Sequence, residues 1–163
     1  MADEYYNSIA EGYEELHGEE QHKKINLIKK YFHPKPTERL LDVGCGTGLT
    51  TEPWDCQRFG IDPAEKLLKK ARQKDMIVYR LAPAEKIPFD DNHFDHVISI
   101  TAIQNFNDIA KGLDEIRRVG KKSFVLTFLK RSDKRPIIER FIEEKFHIDK
   151  RLEEEKDMIF FCM

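Results

Sequence analysis

The sequence predicts an α/β chain: a doubly wound, mostly parallel seven-stranded sheet with one antiparallel strand and helices on both faces. Three observations point there. Residues 39–43, Arg-Leu-Leu-Asp-Val, form a short apolar run that leads straight into a glycine-dense turn, Gly44-Cys45-Gly46-Thr47-Gly48. Short apolar runs of strand length then alternate with stretches of helical period, the pattern of βαβ units. Near the end, two apolar runs flank the acidic turn Glu153-Glu154-Glu155-Lys156-Asp157, which suits an antiparallel hairpin.

The totals limit the functions. The chain has 163 residues, a length that suits one domain with its own core. We expect residues 1–36 to be a helical cap and 37–163 the sheet core. The formal net charge is −2, which excludes a global field for nucleic acid. Charged residues make up 36%, rich in Glu and Lys, a composition associated with thermophilic chains. No apolar run reaches membrane-spanning length and no signal peptide is evident, so a cytoplasmic, membrane-free protein is expected. Cys45, Cys56 and Cys162 lack the paired spacing of a zinc site or a disulfide framework and read as free thiols.

In chain order, residues 3–16 read as a helix with Tyr6, Ile9, Tyr13 and Leu16 near one face, ended by Gly18. A second helix is expected from Glu19 to Phe32, ended by His33-Pro34-Lys35-Pro36. Strand 1 is Arg39–Val43 and strand 2 Arg58–Ile61. Only Leu49 to Gln57 lies between the glycine turn and strand 2, and Pro53 interrupts it, so any helix there must be short or irregular. Trp54 in that segment is either a core plug or a surface anchor. Asp62-Pro63-Ala64-Glu65 carries the marks of a helix start, followed by a helix over 63–74. Strand 3 is Ile77–Leu81 and strand 4 His96–Thr101. A helix over Asp108–Val119, a turn at Gly120-Lys121-Lys122 and strand 5 over Ser123–Leu129 follow. A helix over 136–146 and strands at 147–152 and 158–163 complete the chain.

The candidate site gathers at the carboxyl ends of the strands, where open α/β sheets bind ligands. Glycines allow a sharp turn and close approach to a ligand. The spacing is G-x-G-x-G, with Leu49 where a dinucleotide fingerprint places its third glycine; this argues against NAD and for a nucleoside ligand without a pyrophosphate. Asp62, twenty positions after Asp42, stands where an acid accepts ribose hydroxyls, and as the N-cap of the following helix it can accept a backbone N–H at the same time.

Leu40-Leu41-Asp42-Val43-Gly44-Cys45-Gly46-Thr47-Gly48 resembles the first motif of class I S-adenosylmethionine (SAM)-dependent methyltransferases. The resemblance implies their Rossmann-like fold, SAM as cofactor with S-adenosylhomocysteine (SAH) as product, and methyl transfer by SN2 displacement. The acceptor, whether small molecule, RNA or protein, is left open. It assigns the glycine loop, including Gly44, Cys45, Gly46 and Gly48, to the cofactor, and Asp42 to the loop or the methionine ammonium. Asp62 and Pro63 fall at the ribose. Tyr6-x-x-x-Ala10-x-x-Tyr13-Glu14 is similar to the N-terminal helix that folds over SAM in many small members, with core packing as the rival role. Ala84-Glu85-Lys86-Ile87-Pro88-Phe89 resembles the family's A-E-x-L-P-F, but Pro83 replaces the acid that commonly accepts the adenine amino group. Adenine recognition is therefore expected from backbone groups near Ala84 and Glu85, from apolar contact, or from another acceptor. Thr101 to Phe106 corresponds to the segment beside the transferable methyl. It lacks the (D/N)-P-P-(Y/F) signature of enzymes that methylate exocyclic adenine nitrogens or side-chain amides. Gln104 and Asn105 orient a nucleophile or cap the next helix. No catalytic base is assigned; His22, His93 and His96 are candidates by type only. No metal is expected. Some small members pair a zinc-ribbon activator subunit with the sheet edge, so such a partner is one expectation. A non-catalytic SAM- or nucleoside-binding subunit is the alternative. The basic loop Lys130–Arg135 at the end of strand 5 is either a solvated loop or a phosphate contact.

Overall fold

In a computed structural model, which describes residues 13–72 and 76–163, seven strands form one sheet in the order β3-β2-β1-β4-β5-β7-β6. The strands are β1 (Arg39–Val43), β2 (Gln57–Asp62), β3 (Ile77–Leu81), β4 (Phe94–Ser99), β5 (Gly120–Leu129), β6 (Ile148–Glu153) and β7 (Asp157–Cys162). The helices are α1 (Tyr13–Ile28), α2 (Glu65–Ala71), α3 (Ile109–Val119) and α4 (Arg135–Lys145). All pairings from β3 to β5 are parallel, and β7 runs antiparallel to both β5 and β6. One strand is thus reversed, as expected. The order reverses direction between β1 and β4, which opens a crevice at their carboxyl ends.

The two faces follow from strand alternation. Leu41 and Val43 of β1 face the larger core with Ile61, Val97, Leu113, Ile116, Ile138 and Ile142, so α3 and α4 cover that side. Leu40 faces the opposite side with Ile25, Ile28, Phe32, Trp54 and Ile98, under α1. β1 and β4 are buried along nearly their whole length, as sequences covered on both faces must be.

Three expectations need correction. Gly18 does not end a helix: α1 runs through it without a break. A glycine inside a helix costs about 1 kcal/mol relative to alanine, and the buried stripe of α1 outweighs that. Gly120-Lys121-Lys122 is not a turn: β5 begins at Gly120, directly after α3. Gly120 answers packing, since a Cβ there would lie 2.5 Å from the Phe124 ring and 2.8 Å from Val97. The helix after Asp62 is shorter than 63–74, beginning at Glu65 with Ala64, not Asp62, at its N-cap, and ending at Ala71. The segment from Gly44 to Cys56 contains turns and no helix, in keeping with its length. Trp54 fills the place a crossover helix would cover. It is 3% exposed, stacks edge-on against Phe32, and its Nε1 donates to Thr50 O at 2.8 Å.

Candidate cofactor and acceptor cleft

The glycine turn is held in shape from two directions. Gly44, Gly46 and Gly48 all have positive φ, at 78°, 55° and 89°. Gly44 N and Cys45 N both donate to Ile61 O, which clamps the turn onto β2. Gly44 is required twice over, because a Cβ there would stand 2.6 Å from the Ala102 Cβ.

Asp62 closes the turn from the β2 side. Its Oδ2 accepts from Gly46 N at 2.9 Å and its Oδ1 from Ala64 N at 2.7 Å. The carboxylate therefore ties the glycine loop to the start of α2. A carboxylate offers about four lone-pair sites, a number that can serve backbone N–H groups and ligand hydroxyls together. Asp42 braces the loop from within the sheet. It is fully buried; its Oδ2 accepts from Thr50 Oγ1 at 2.6 Å and Thr51 Oγ1 at 2.7 Å, while Oδ1 has no partner among the described residues. Burial pushes the Asp42 carboxyl up to about 6, against the two threonine bonds, which pull it down.

A cleft of about 680 Å³, open to solvent, lies over these elements. It is lined by Gly44, Gly46, Asp62 and Pro63 on one side, by Pro83, Ala84 and Glu85 after β3, and by Ile100, Thr101 and Ala102 after β4. Eight of the predicted site residues thus meet in one cavity: Gly44, Gly46, Asp62, Pro63, Pro83, Ala84, Glu85 and Thr101. Asp42, Cys45 and Gly48 stand behind it. Cys45 packs with Leu68, Ala71 and Tyr79, where burial raises its thiol well above the ordinary range, and Gly48 makes room for the Tyr79 hydroxyl. Tyr6 lies outside the described residues. Tyr13 falls in the first turn of α1, and the role expected of its side chain lies outside them too.

The cleft also takes in Leu67 and Asn107, which the sequence reading did not single out for the ligand. Leu67 looked like ordinary core, being an apolar residue on the inward face of α2. Asn107 is one residue before the cap of α3, Asp108, whose side chain accepts from Lys111 N. Glu85 faces the same spot, and its Oε2 accepts from Asp108 N at 2.8 Å. Phe106 adds an apolar ring held against Gly112, where a Cβ would meet it at 2.5 Å. Gln104 is 7% exposed and braces the loop: Nε2 donates to Thr101 O, and Oε1 accepts from Leu129 N. Neither role expected of it, orienting a nucleophile or capping, describes those bonds.

None of the three candidate histidines lines the cleft. His22 is exposed on α1, and His93 stacks with Phe59, Phe89 and Phe94. His96 sits toward the amino end of β4, between Glu38 Oε1 at 3.0 Å and Ser123 Oγ at 2.6 Å.

Thr101 is the strained residue of the site. It has φ of 54°, although it is β-branched. Such a conformation costs about 1–3 kcal/mol and persists only where surrounding contacts enforce it.

With this geometry in view, comparison with known proteins is decisive for the family. The model of the family described as "Methyltransferase domain" matches residues 41–128, more than half of the chain. The chain belongs to this methyltransferase family. A demethylmenaquinone methyltransferase of Symbiobacterium thermophilum is 32% identical over 139 residues, covering 72% of this chain and 54% of that protein. The chain spans about half the length of curated relatives that it matches. Among solved structures, a chain of the complex between the Haloferax volcanii Trm112 methyltransferase activator and a methyltransferase superposes with a TM-score of 0.81. It is 15% identical, and the match covers 97% of this chain and 96% of that one. A SAM-dependent methyltransferase of Aquifex aeolicus matches at a TM-score of 0.71 and 19% identity, over 85% of this chain and 88% of that one. Both structural likenesses are likenesses of fold.

Proposed function

We propose that the chain is a SAM-dependent methyltransferase whose cofactor lies in the cleft over the glycine turn. The observation that carries this reading is the joint placement of the Gly44–Gly46 turn and Asp62 in one solvent-open cleft at the carboxyl ends of the strands. The residues present fit the cofactor. Asp62 offers carboxylate lone pairs to the ribose hydroxyls, and Pro83, Ala84, Leu67 and Phe106 offer apolar surface to a flat base. Asn107 supplies the polar amide that Pro83 lacks, and is our choice for the adenine amino group. Asp42 has one buried oxygen without a partner among the described residues, behind the loop, a place for a water that reaches toward an ammonium group.

When bound, SAM supplies an electrophilic methyl carbon already attached to its leaving group. The chain's work is then to hold, align and dry the reacting groups. The wall from Ile100 to Ala102 lines the cleft beside the glycine turn. Among the described residues, Asp62 and Glu85 are the titratable side chains that line the cleft, which favours a nucleophile that needs no deprotonation.

Calorimetric titration with SAM and SAH tests the cofactor. Micromolar binding, about −8 kcal/mol, supports it; absence of binding to both counts against it. Transfer of labelled methyl groups from SAM into cell extract then separates an enzyme from a module that only binds the nucleoside.

A small activator subunit is the second part of the proposal. β3 and β6 form the two edges of the sheet. β6 carries exposed Asp149, Lys150, Arg151 and Glu153, the charged residues that keep an edge from pairing. β3 exposes Val78 and Leu81, at 47% and 51%. An added strand would find its partner at β3. Co-expression with a zinc-ribbon activator should raise solubility and yield a one-to-one complex, and Leu81→Arg should abolish both. A stable, active chain that ignores the activator would remove this part alone.

A further inference from the structure

A buried charge pair stands behind Thr101. Lys24 of α1 and Asp157 at the start of β7 are 3% and 0% exposed, with Lys24 Nζ 3.2 Å from Asp157 Oδ1. Lys24 Nζ also donates to Thr101 Oγ1 at 2.6 Å, and Thr101 Oγ1 donates to Asp157 Oδ2 at 2.6 Å. Thr127 of β5 completes the group: its Oγ1 accepts from Thr101 N at 2.7 Å and donates to Asp157 Oδ2 at 2.8 Å. Every polar group of Thr101 except its carbonyl is thus taken by this cluster, and the carbonyl accepts from Gln104.

A buried ion pair is poor evidence of stability, because apolar residues of similar volume often serve as well or better. This one converges on the single strained residue of the cleft wall. From Thr101 the chain passes to Ala102, whose Cβ closes on Gly44. A change in the Thr101 backbone would therefore move the wall against the glycine turn.

We propose that Lys24 and Asp157 are positioning residues. They hold Thr101 in its left-handed conformation, fix the cleft wall from Ile100 to Ala102, and so set where a methyl donor and its acceptor meet. The same bonds latch α1 to that wall, making the helix part of the site's geometry. The assignment to methyl transfer rests on the cofactor reading above.

The test uses the full chain in four forms: wild type, Lys24→Met, Asp157→Asn, and the double Lys24→Met/Asp157→Leu. The double variant removes both charges together, so it avoids the unpaired buried charge that either single variant leaves. NMR backbone parameters of Thr101 are read without ligand, and the methyl carbon resonance is read with methyl-13C-labelled SAM. In the double variant, Thr101 should leave the left-handed region and the bound methyl resonance should shift. SAM affinity should change several-fold relative to SAH, which lacks that methyl. A purely structural pair would move melting temperature alone. Thr101 remaining left-handed in the double variant overturns the proposal, as does a bound methyl resonance identical to wild type. Failure of wild type to bind SAM would sink the cofactor reading, while the Thr101 backbone still decides whether the pair holds it.

Discussion

Replacing Asp62 by Asn tests the site at its most connected point. The carboxylate accepts one backbone N–H through each oxygen, at 2.9 Å from Gly46 and 2.7 Å from Ala64, and the residue is 7% exposed. Asparagine keeps one oxygen and turns a donor toward the other N–H. One charge-assisted bond, worth about 1.5–3 kcal/mol, is lost, and a buried N–H is orphaned. A total near 3 kcal/mol lowers the melting temperature by roughly 6–12 °C for a domain of this size. If the remaining lone pairs also accept ribose hydroxyls, the variant weakens SAM and SAH by roughly 10–100-fold, another 1.5–3 kcal/mol. Loop distortion alone would weaken ligands too, so the assay compares adenosine with 2′,3′-dideoxyadenosine by calorimetry. Wild type should prefer adenosine, and Asp62→Asn should lose that preference. An equal preference in both proteins would show that Asp62 shapes the loop and never touches the sugar.

Four further outcomes follow from particular residues. Gly18→Ala should raise the melting temperature by roughly 2 °C, about 0.5–1 kcal/mol, since Gly18 is helical and nothing stands within 4 Å of its Cβ direction; Gly44→Ala should unseat Ala102 and lose SAM binding by calorimetry. Asp42→Asn should stabilise the fold at pH 8 by up to about 3 kcal/mol, because the folded carboxyl, raised to about 6 by burial, holds its proton more tightly than the ordinary 3.8. That penalty on the wild type develops as pH rises from about 4 through 6, so thermal melts of the two proteins should converge below pH 4, while SAM affinity of the variant falls. Glu38 behaves in the opposite sense: the Lys122 ammonium and His96 beside it hold its carboxyl down at about 2, from an ordinary 4.5. Its contribution is complete above about pH 4.5 and is lost as pH falls through 2, so Glu38→Gln should flatten the acid limb of melting temperature against pH.

Much of the fold was legible because its strands obey simple rules. Arg39–Val43 and Ile77–Leu81 were readable to the residue, since turn chemistry or Pro/Gly punctuation bounds each. The cleft was legible where chemistry is local: a glycine turn, an acid twenty residues on, and the segment around Ala84. What escaped depends on tertiary packing. Gly18 and Gly120 look alike as breakers, yet one sits in a helix whose buried face overrides propensity and the other makes room for Phe124. Lys24 looked like one of many helix lysines. Only the fold brings it to Asp157, 133 positions away, beneath Thr101. A positive φ at a threonine has no sequence signature, because nothing in the local composition calls for it.

The missing crossover helix explains why Asp42 is so deeply engaged. In a βαβ unit, the helix following a glycine turn fixes that turn and aims backbone N–H groups at the ligand. Here the segment from Gly44 to Cys56 has no helix, so the loop must be fixed by side chains. Asp42 does this through the hydroxyls of Thr50 and Thr51, Trp54 fills the volume beneath, and Tyr79 packs against Gly48 and Gly60 from the neighbouring strands. The consequence is a loop whose order depends on a buried carboxylate with a raised pKa. Loss of the Asp42 proton as pH rises through about 6 therefore puts a charge directly behind the turn, and a cationic ligand group near Gly46 would relieve it. Cofactor affinity should accordingly rise across that pH range for a ligand carrying an ammonium group. It should stay flat for adenosine, which carries none. Parallel titrations of SAH and adenosine at pH 4.5 and 7 distinguish the two, and an identical pH profile for both would show that the charge on Asp42 is not felt in the cleft.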